Sequence, residues 1–568
     1  MQIYNLRITY PKQDILVAAP DIKACFRWLK NHCDIAGACS YVIGIILWIA
    51  AAMVFGWSIS AAAWEAYRRA IMALAESYFD NVELVAKYQN YLDLLEWDEP
   101  SDEVVDFLQA NRDEFNQGVL DKEGRHMNTP SHIYVDDVLI AEIERYMRRA
   151  LVAVIEAIYV IMGFPDDRYR QRNLAMNKWE GMKVSYEAVL LGLLFNTRKM
   201  TVGITDVYRK EVLDLINDRW HPKRKAFTVS DIEKLAGKLG RLGEGARWIF
   251  HLMSQIYSSI ACALRSNQQY LANTSKSFKA MIRLVKNKKL STLEEDVREL
   301  NYAARELATS VHRCKERYFI NKTLKQEIQL LREVLADTSI PLETPIAHCI
   351  KRAPSASAWG DACLYGGGFF SIDLRFWWHL EWPEEVKQRT KLFLENNKKG
   401  NLISINALEF FCIIMNYAAA LVVYDTDGKG DDQHPTLLNW ADNKVSINWC
   451  NHACKEYLAV RALGRLFCAM MIGSDVGINA DYIIGELNII SDEISRLTKA
   501  SPHLPFDYSS LPHTYPQLHV CRRFHPSAKL LSLLWDALLK QSSLDVLSLS
   551  KMKPSELDKL STCTFVKK

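Results

Sequence analysis

The sequence predicts an α+β N-terminal region, a helix-rich middle and an α/β C-terminal domain with a mixed sheet. Three observations lead there. Ser131 to Ala141, SHIYVDDVLIA, places two adjacent acids between two β-favouring runs. Residues Ser254 to Asp337 are helix formers punctuated by basic clusters, and Pro341, Pro345 and Pro354 then end the pattern. Beyond those prolines, acids recur on alternating strand-like and helix-like segments, at Asp361, Glu409, Asp442 and Asp492. The expected divisions are 1–205, 206–337, 338–505 and a tail, 506–568, because 568 residues are too many for one ordinary core.

Composition narrows the function classes. Hydrophobic content of 49% and charged content of 24% exclude a disordered or fibrous chain. A formal net charge of +3 requires any nucleic-acid surface to be local. Thirteen cysteines without a paired CxxC framework, and an opening MQIYNLRITYPKQ unlike a signal peptide, point to reduced thiols in the cytoplasm or nucleus.

In chain order, Asp21 closes the apolar run that begins at Ile15. Residues Gly37 to Trp64 contain no Lys, Arg, Asp, Glu or His, which is long enough to cross a bilayer, so a membrane protein is one alternative. Gly44, Gly56, Ser58, Ser60 and the β-branched clusters favour two buried strands and a loop instead. Ser60 to Tyr78 reads as an amphipathic helix with Ser60 as its cap. At the hairpin, Asp136 and Asp137 repel each other and lose solvation together, which calls for a cation, and Mg²⁺ is the one that takes carboxylates along with substrate phosphates. Plain turn chemistry also accommodates such a pair. Val229 to Leu252 reads as a helix with Ser230 as N-cap, Glu233 at capping-box spacing, and Lys234, Lys238 and Arg241 on its exposed side.

Past the prolines, Ala358 to Phe370 reads as a strand carrying Asp361, a turn made of Gly366 to Gly368, and a returning strand. Ile405 to Met415 is an apolar helix in which Glu409 is costly to bury alone. Leu437 to Asp442 is a buried-type strand ending on an acid, and Gly485 to Arg496 opens a helix holding Asp492. Carboxylates delivered by strand, helix, strand and helix suit a two-metal centre for phosphodiester cleavage. Asp425 to Asp431 lacks the ligand pattern of a Ca²⁺ loop, and His519, Cys521 and His525 lack a second pair to complete a zinc site. Leu530 to Leu539 reads as an amphipathic helix with no assigned role.

The order DIKACF at Asp21, FGWSISAAAW at Phe55 and IYVDD at Ile133 resembles the palm of a retroelement reverse transcriptase. The later acids, with Asn443 directly after Asp442, resemble the ribonuclease H of DIRS-type and gypsy-type elements. The resemblance implies an α+β polymerase palm, a helical thumb and connection, and an α/β RNase H-like domain. It implies Asp21, Asp136 and Asp137 as ligands of two Mg²⁺ ions, with Mn²⁺ as a substitute, and Phe26 as a wall that excludes a ribose 2′-hydroxyl. Phe55, Gly56 and Tyr134 would support template and nucleotide, and Lys178, with Lys183 close by, would approach the nucleotide phosphates. A Leu-Gly hairpin within Asn173 to Thr197 would grip the primer, and Val229 to Leu252 would be the thumb. Asp361, Glu409, Asp442 and Asp492 would hold a second pair of ions, with Asn443 at the substrate; no His precedes Asp492 where related nucleases carry one. Expected partners are an RNA template, a DNA primer, dNTPs and an RNA/DNA hybrid. Only twenty residues precede Asp21, so fingers are expected to be truncated or replaced, and a catalytically degenerate nucleic-acid-binding remnant is the other alternative.

Overall fold

The computed structural model describes residues 1–23, 40–43, 46–49, 58–98, 131–134, 137–165, 173–288, 294–395, 402–426, 428, 432–452, 458–497, 511–540 and 546. The chain divides into two compact units, 1–205 with 349–351, and the remainder from 206.

The first unit opens with helix α1 (Gln2–Thr9) and strand β1 (Ile15–Ala18), whose four residues are all buried. Strands β2 (Ser40–Ile43) and β3 (Ile46–Ile49) form an antiparallel hairpin, so these residues of the uncharged stretch take the two-strand form. Helix α2 spans Ser58–Tyr78 and starts two residues earlier than expected, leaving Ser60 inside the helix rather than at its cap. Strands β4 (Ser131–Tyr134) and β5 (Asp137–Ile143) pair antiparallel with Tyr134 opposite Asp137, and β1 lies on the other side of β5. Helix α3 (Glu144–Met162) buries Met147, Leu151, Val154, Ile155 and Ile158, spaced for one face of a helix, and packs against α2. After the single turn α4 (Met176–Trp179) come β6 (Glu187–Leu190), β7 (Leu193–Asn196) and β8 (Thr201–Ile204), paired antiparallel in that order. The turn between β6 and β7 puts both Leu191 (φ 51°) and Gly192 (φ 75°) in the left-handed region, the arrangement a two-residue hairpin needs. Leucine pays for that conformation by roughly 1–2 kcal/mol.

The second unit begins with helices α5 (Asp206–Arg219), α6 (Val229–Gly245), α7 (Ser254–Thr274), α8 (Lys276–Lys288), α9 (Glu294–Arg313) and α10 (Lys322–Ala336). The cap of α6 is not Ser230. Thr228 accepts the Asp231 amide while Asp231 accepts the Thr228 amide at 3.0 Å, because Val229 is buried and pulls the helix start forward. Glu233 instead meets His312 at 2.7 Å. Lys238 pairs with Glu211 and Arg241 with Glu244, so these two cations are engaged with acids of their own surface.

A mixed sheet follows. It contains β9 (Ala356–Ala362), β10 (Gly366–Ser371), β11 (Phe376–Glu381), β12 (Thr436–Ala441), β13 (Gly477–Tyr482) and β14 (Arg522–Arg523), in the spatial order β13-β12-β9-β10-β11-β14. The β9–β10–β11 meander is antiparallel, β12 and β13 run parallel to β9, and β14 runs parallel to β11. Between these strands lie α11 (Glu384–Leu394), α12 (Ile405–Thr426), α13 (Lys444–Asn451) and α14 (Leu458–Met471), then α15 (Ile489–Ser495) and α16 (Ala528–Trp535). Among the described residues, Ile405–Asp425 of α12 is the helix long and apolar enough to cross a membrane, and it is wholly buried against the sheet. Phe410, Phe411 and Tyr417 on it meet Trp378, Trp382 and Phe467 in one core, each such side chain contributing about 1.5–3 kcal/mol by leaving water. The opposite sheet face is closed by Ile494, Leu497, Leu511 and Leu518 over Phe370 and Trp377. The segment from 511 joins this unit, since Phe524, Leu530, Leu534, Ala537 and Leu538 belong to its core. The described cysteines are free thiols.

Candidate metal centre

Asp361 sits near the end of β9 and Asp442 directly after the end of β12. These strands are parallel neighbours with Trp359 opposite Trp440, so two residues further on both acids leave the sheet at the same edge and level. Glu409 lies on the second turn of α12, where the Ala362 amide donates to its Oε1 at 3.2 Å. One ligand oxygen from each of Asp361, Glu409 and Asp442 falls within 4.8 Å of the others. Among the described residues this is the cluster of acidic, His or Cys side chains spaced to hold a cation. Asp492 on α15 adds its charge to the fields on Asp361 and Asp442.

The approach of α15 depends on glycine. Gly366 to Gly368 were expected to make the hairpin turn, but the turn is Cys363 to Tyr365 and the three glycines begin β10. The reason is space rather than backbone conformation. A Cβ on Gly368, the register partner of Asp361, would stand 2.3 Å from the Ser495 backbone nitrogen, and one on Gly367 would stand 2.6 Å from Cys412 Sγ. Helices α15 and α12 therefore reach opposite faces of the same strand, and each brings an acid. The Ser495 hydroxyl donates to Asp361 Oδ2 at 2.6 Å. Buried Asn488 donates to the Gly360 carbonyl at 3.0 Å and fixes the start of α15. Neither Ser495 nor Asn488 is conspicuous in the sequence; the spacing of one helical turn from Asp492 is the signal that could have found them.

Burial raises Asp361 to about 6, against the Ser495 hydrogen bond and with added repulsion from Asp442 and Asp492. Burial, then the charges of Asp361 and Asp442, lift Glu409 well above the ordinary carboxylate range. Burial also raises Asp442. Such a site is unfavourable when its acids are ionised without a counter-charge. The donor set is all carboxylate oxygen, which fits a hard divalent cation such as Mg²⁺ or Mn²⁺. Asn443 caps α13, accepting from the Val445 and Ser446 amides, and its amide donates to Asn406 on α12 at 2.8 Å.

In the first unit, Asp21 forms an antiparallel bridge with Asp137, reinforced by the Val138 amide on the Pro20 carbonyl at 3.0 Å. The backbones of these two acids are thus adjacent although more than a hundred residues separate them. Lys178, on α4, forms an ion pair with Asp21, while Lys183 pairs with Asp98 at 2.8 Å. Tyr134 occupies the last position of β4. Asp136, Phe26, Phe55 and Gly56 lie outside the described residues.

No protein-family description matches the chain, and no curated protein does. Among solved structures, it is similar to a foamy viral protease-reverse transcriptase in complex with an RNA/DNA hybrid, at 9% identity and a TM-score of 0.31, over 83% of this chain and 44% of that one. A second is the foamy viral protease-reverse transcriptase dRH in complex with double-stranded DNA, at 8% identity and a TM-score of 0.32, over 84% of this chain and 59% of that one. The chain thus spans about half the length of the solved proteins it matches. Identity this low and superposition this loose leave the functional case to the carboxylate geometry.

Proposed function

We propose that the chain is an RNA-directed DNA polymerase of a retroelement with a ribonuclease H centre in its second unit. The observation that supports the nuclease half is the delivery of Asp361, Glu409 and Asp442 from strand, helix and parallel strand to within 4.8 Å, with Asp492 on a further helix in their field; the bridge between Asp21 and Asp137 supports the polymerase half. These acids would hold two Mg²⁺ or Mn²⁺ ions, which when bound supply activation of a water nucleophile and stabilisation of the leaving oxygen. The Ala362 amide steadies one oxygen of Glu409, and the Ser495 hydroxyl steadies one oxygen of Asp361. Asn443, at the mouth of α13, would meet the hybrid.

In the first unit, Asp21 and Asp137, with Asp136, would serve attack of a primer 3′-hydroxyl on the α-phosphate of a dNTP along an RNA template. Lys178 would exchange Asp21 for the nucleotide phosphates. Phe26 would exclude the 2′-hydroxyl, and Phe55, Gly56 and Tyr134 would support nucleotide and template. The test uses the full chain with a labelled RNA/DNA hybrid and a primed RNA template, with Mg²⁺ or EDTA. Asp442→Asn should abolish hybrid cleavage and spare extension, while Asp136→Asn should do the reverse. A chain that binds hybrid but is inert in both assays would be the degenerate remnant instead.

A further inference from the structure

Arg496 is the exposed residue directly after Ser495, whose hydroxyl binds Asp361. Its place is set by the contact that brings α15 to the sheet, because Ile494 and Ser495 press on Gly368 and Arg496 follows directly. From there its Nη2 reaches back one turn to Asp492 Oδ1 at 2.5 Å, and its field favours the ionised forms of Asp361 and Asp442. The acids it acts on are Asp492, Asp361 and Asp442, so it faces an excess of negative charge, while the adjacent Glu493 is engaged with Tyr515. The side chain is 53% exposed, and an ion pair this exposed is easily exchanged.

We propose that Arg496 is the resident counter-ion of the cluster, and that a divalent cation entering the site releases its guanidinium to a phosphate oxygen of the substrate strand. The first half rests on Asp492 joining the metal centre proposed above; the second rests on the nuclease function proposed there. Arginine suits both tasks, since its planar fork takes two oxygens of a carboxylate or of a phosphate alike. A cation and Arg496 then compete for Asp492, and Arg496 becomes a substrate ligand only in a metal-loaded site. This makes strand binding depend on metal occupancy without any change of fold.

The experiment titrates the full chain with Mn²⁺ by calorimetry, and measures KM and kcat for hybrid cleavage, in wild type, Arg496→Gln and Arg496→Lys. Removing the competing charge should tighten Mn²⁺ binding several-fold in Arg496→Gln, and Arg496→Lys should return it to the wild-type value. For cleavage, Arg496→Gln should raise KM several-fold and leave kcat nearly unchanged. Mn²⁺ affinity that is equal or weaker in Arg496→Gln overturns the counter-ion role, and an unchanged KM overturns the phosphate role. If the wild type cuts no hybrid, the nuclease reading and the phosphate role fall together, and the Mn²⁺ titration still decides the counter-ion.

Discussion

Asp361→Asn probes the electrostatic state of the cluster independently of catalysis. Burial, then repulsion by Asp442 and Asp492, carries this carboxyl from about 4 in an unfolded chain to about 6. Two pKa units at about 1.4 kcal/mol each make the ionised acid cost roughly 3 kcal/mol in the folded protein. Between about pH 4 and 6 the folded state holds more protons than the unfolded one, so stability falls as pH rises through that window. Above it the cost is complete, and below it there is none. In EDTA near pH 8 the variant should therefore be more stable than the wild type by up to about 3 kcal/mol, and the two should converge near pH 4. A divalent cation reverses the order, because at a thousand-fold excess over its Kd it stabilises the wild type by about 4.1 kcal/mol, more than that cost, and the variant has lost a ligand. Urea unfolding, followed through hydrogen exchange of β9 and β10 amides at the two pH values with EDTA or MgCl₂, reads both effects. A wild type more stable than Asp361→Asn in EDTA near pH 8 would mean that the Asp361 carboxylate carries no such burial cost.

Other perturbations address the supports of the site. Gly368→Ala places a Cβ 2.3 Å from the Ser495 nitrogen and 2.6 Å from the Ile494 carbonyl carbon, so it should cost about 3 kcal/mol and weaken Mn²⁺ binding; Gly237→Ala on α6, with nothing within 4 Å, should instead gain about 0.5–1 kcal/mol in the same denaturation assay. Thr228→Ala should lose about 1 kcal/mol by urea denaturation and Ser230→Ala nothing, since only the former carries the cap; equal effects would contradict the α6 start. Lys178→Ala should raise the KM for dNTP several-fold in primer extension without altering primer binding, and an unchanged KM would mean that the lysine serves Asp21 alone.

The sequence makes the acids legible because each interrupts or ends an apolar run, where a charge has no inexpensive place to go. Strand and helix periods around Asp361, Glu409, Asp442 and Asp492 also specify which kind of element carries each one, and the mixed sheet follows from them. What escapes is anything decided by distance between elements. Gly366 to Gly368 look like a turn because local sequence does not separate a glycine needed for φ from one needed for space, and only the closeness of Ser495 and Cys412 does so. Ser230 with Glu233 and Thr228 with Asp231 both satisfy the capping-box spacing, and the burial of Val229 chooses between them. Asn443 carries two signals at once, the acid-adjacent amide and the helix cap, and the cap is the one whose partners are in place. Asp21 and Asp137 become neighbours through strand pairing, which the resemblance carried by DIKACF and IYVDD implied and local periodicity alone did not.

The most direct test of the account is anomalous diffraction from crystals of the full chain soaked in Mn²⁺. Two peaks about 4 Å apart are expected among Asp361, Glu409, Asp442 and Asp492, with Arg496 withdrawn from Asp492. A cluster without peaks under saturating Mn²⁺, with the Arg496–Asp492 pair intact, would contradict it.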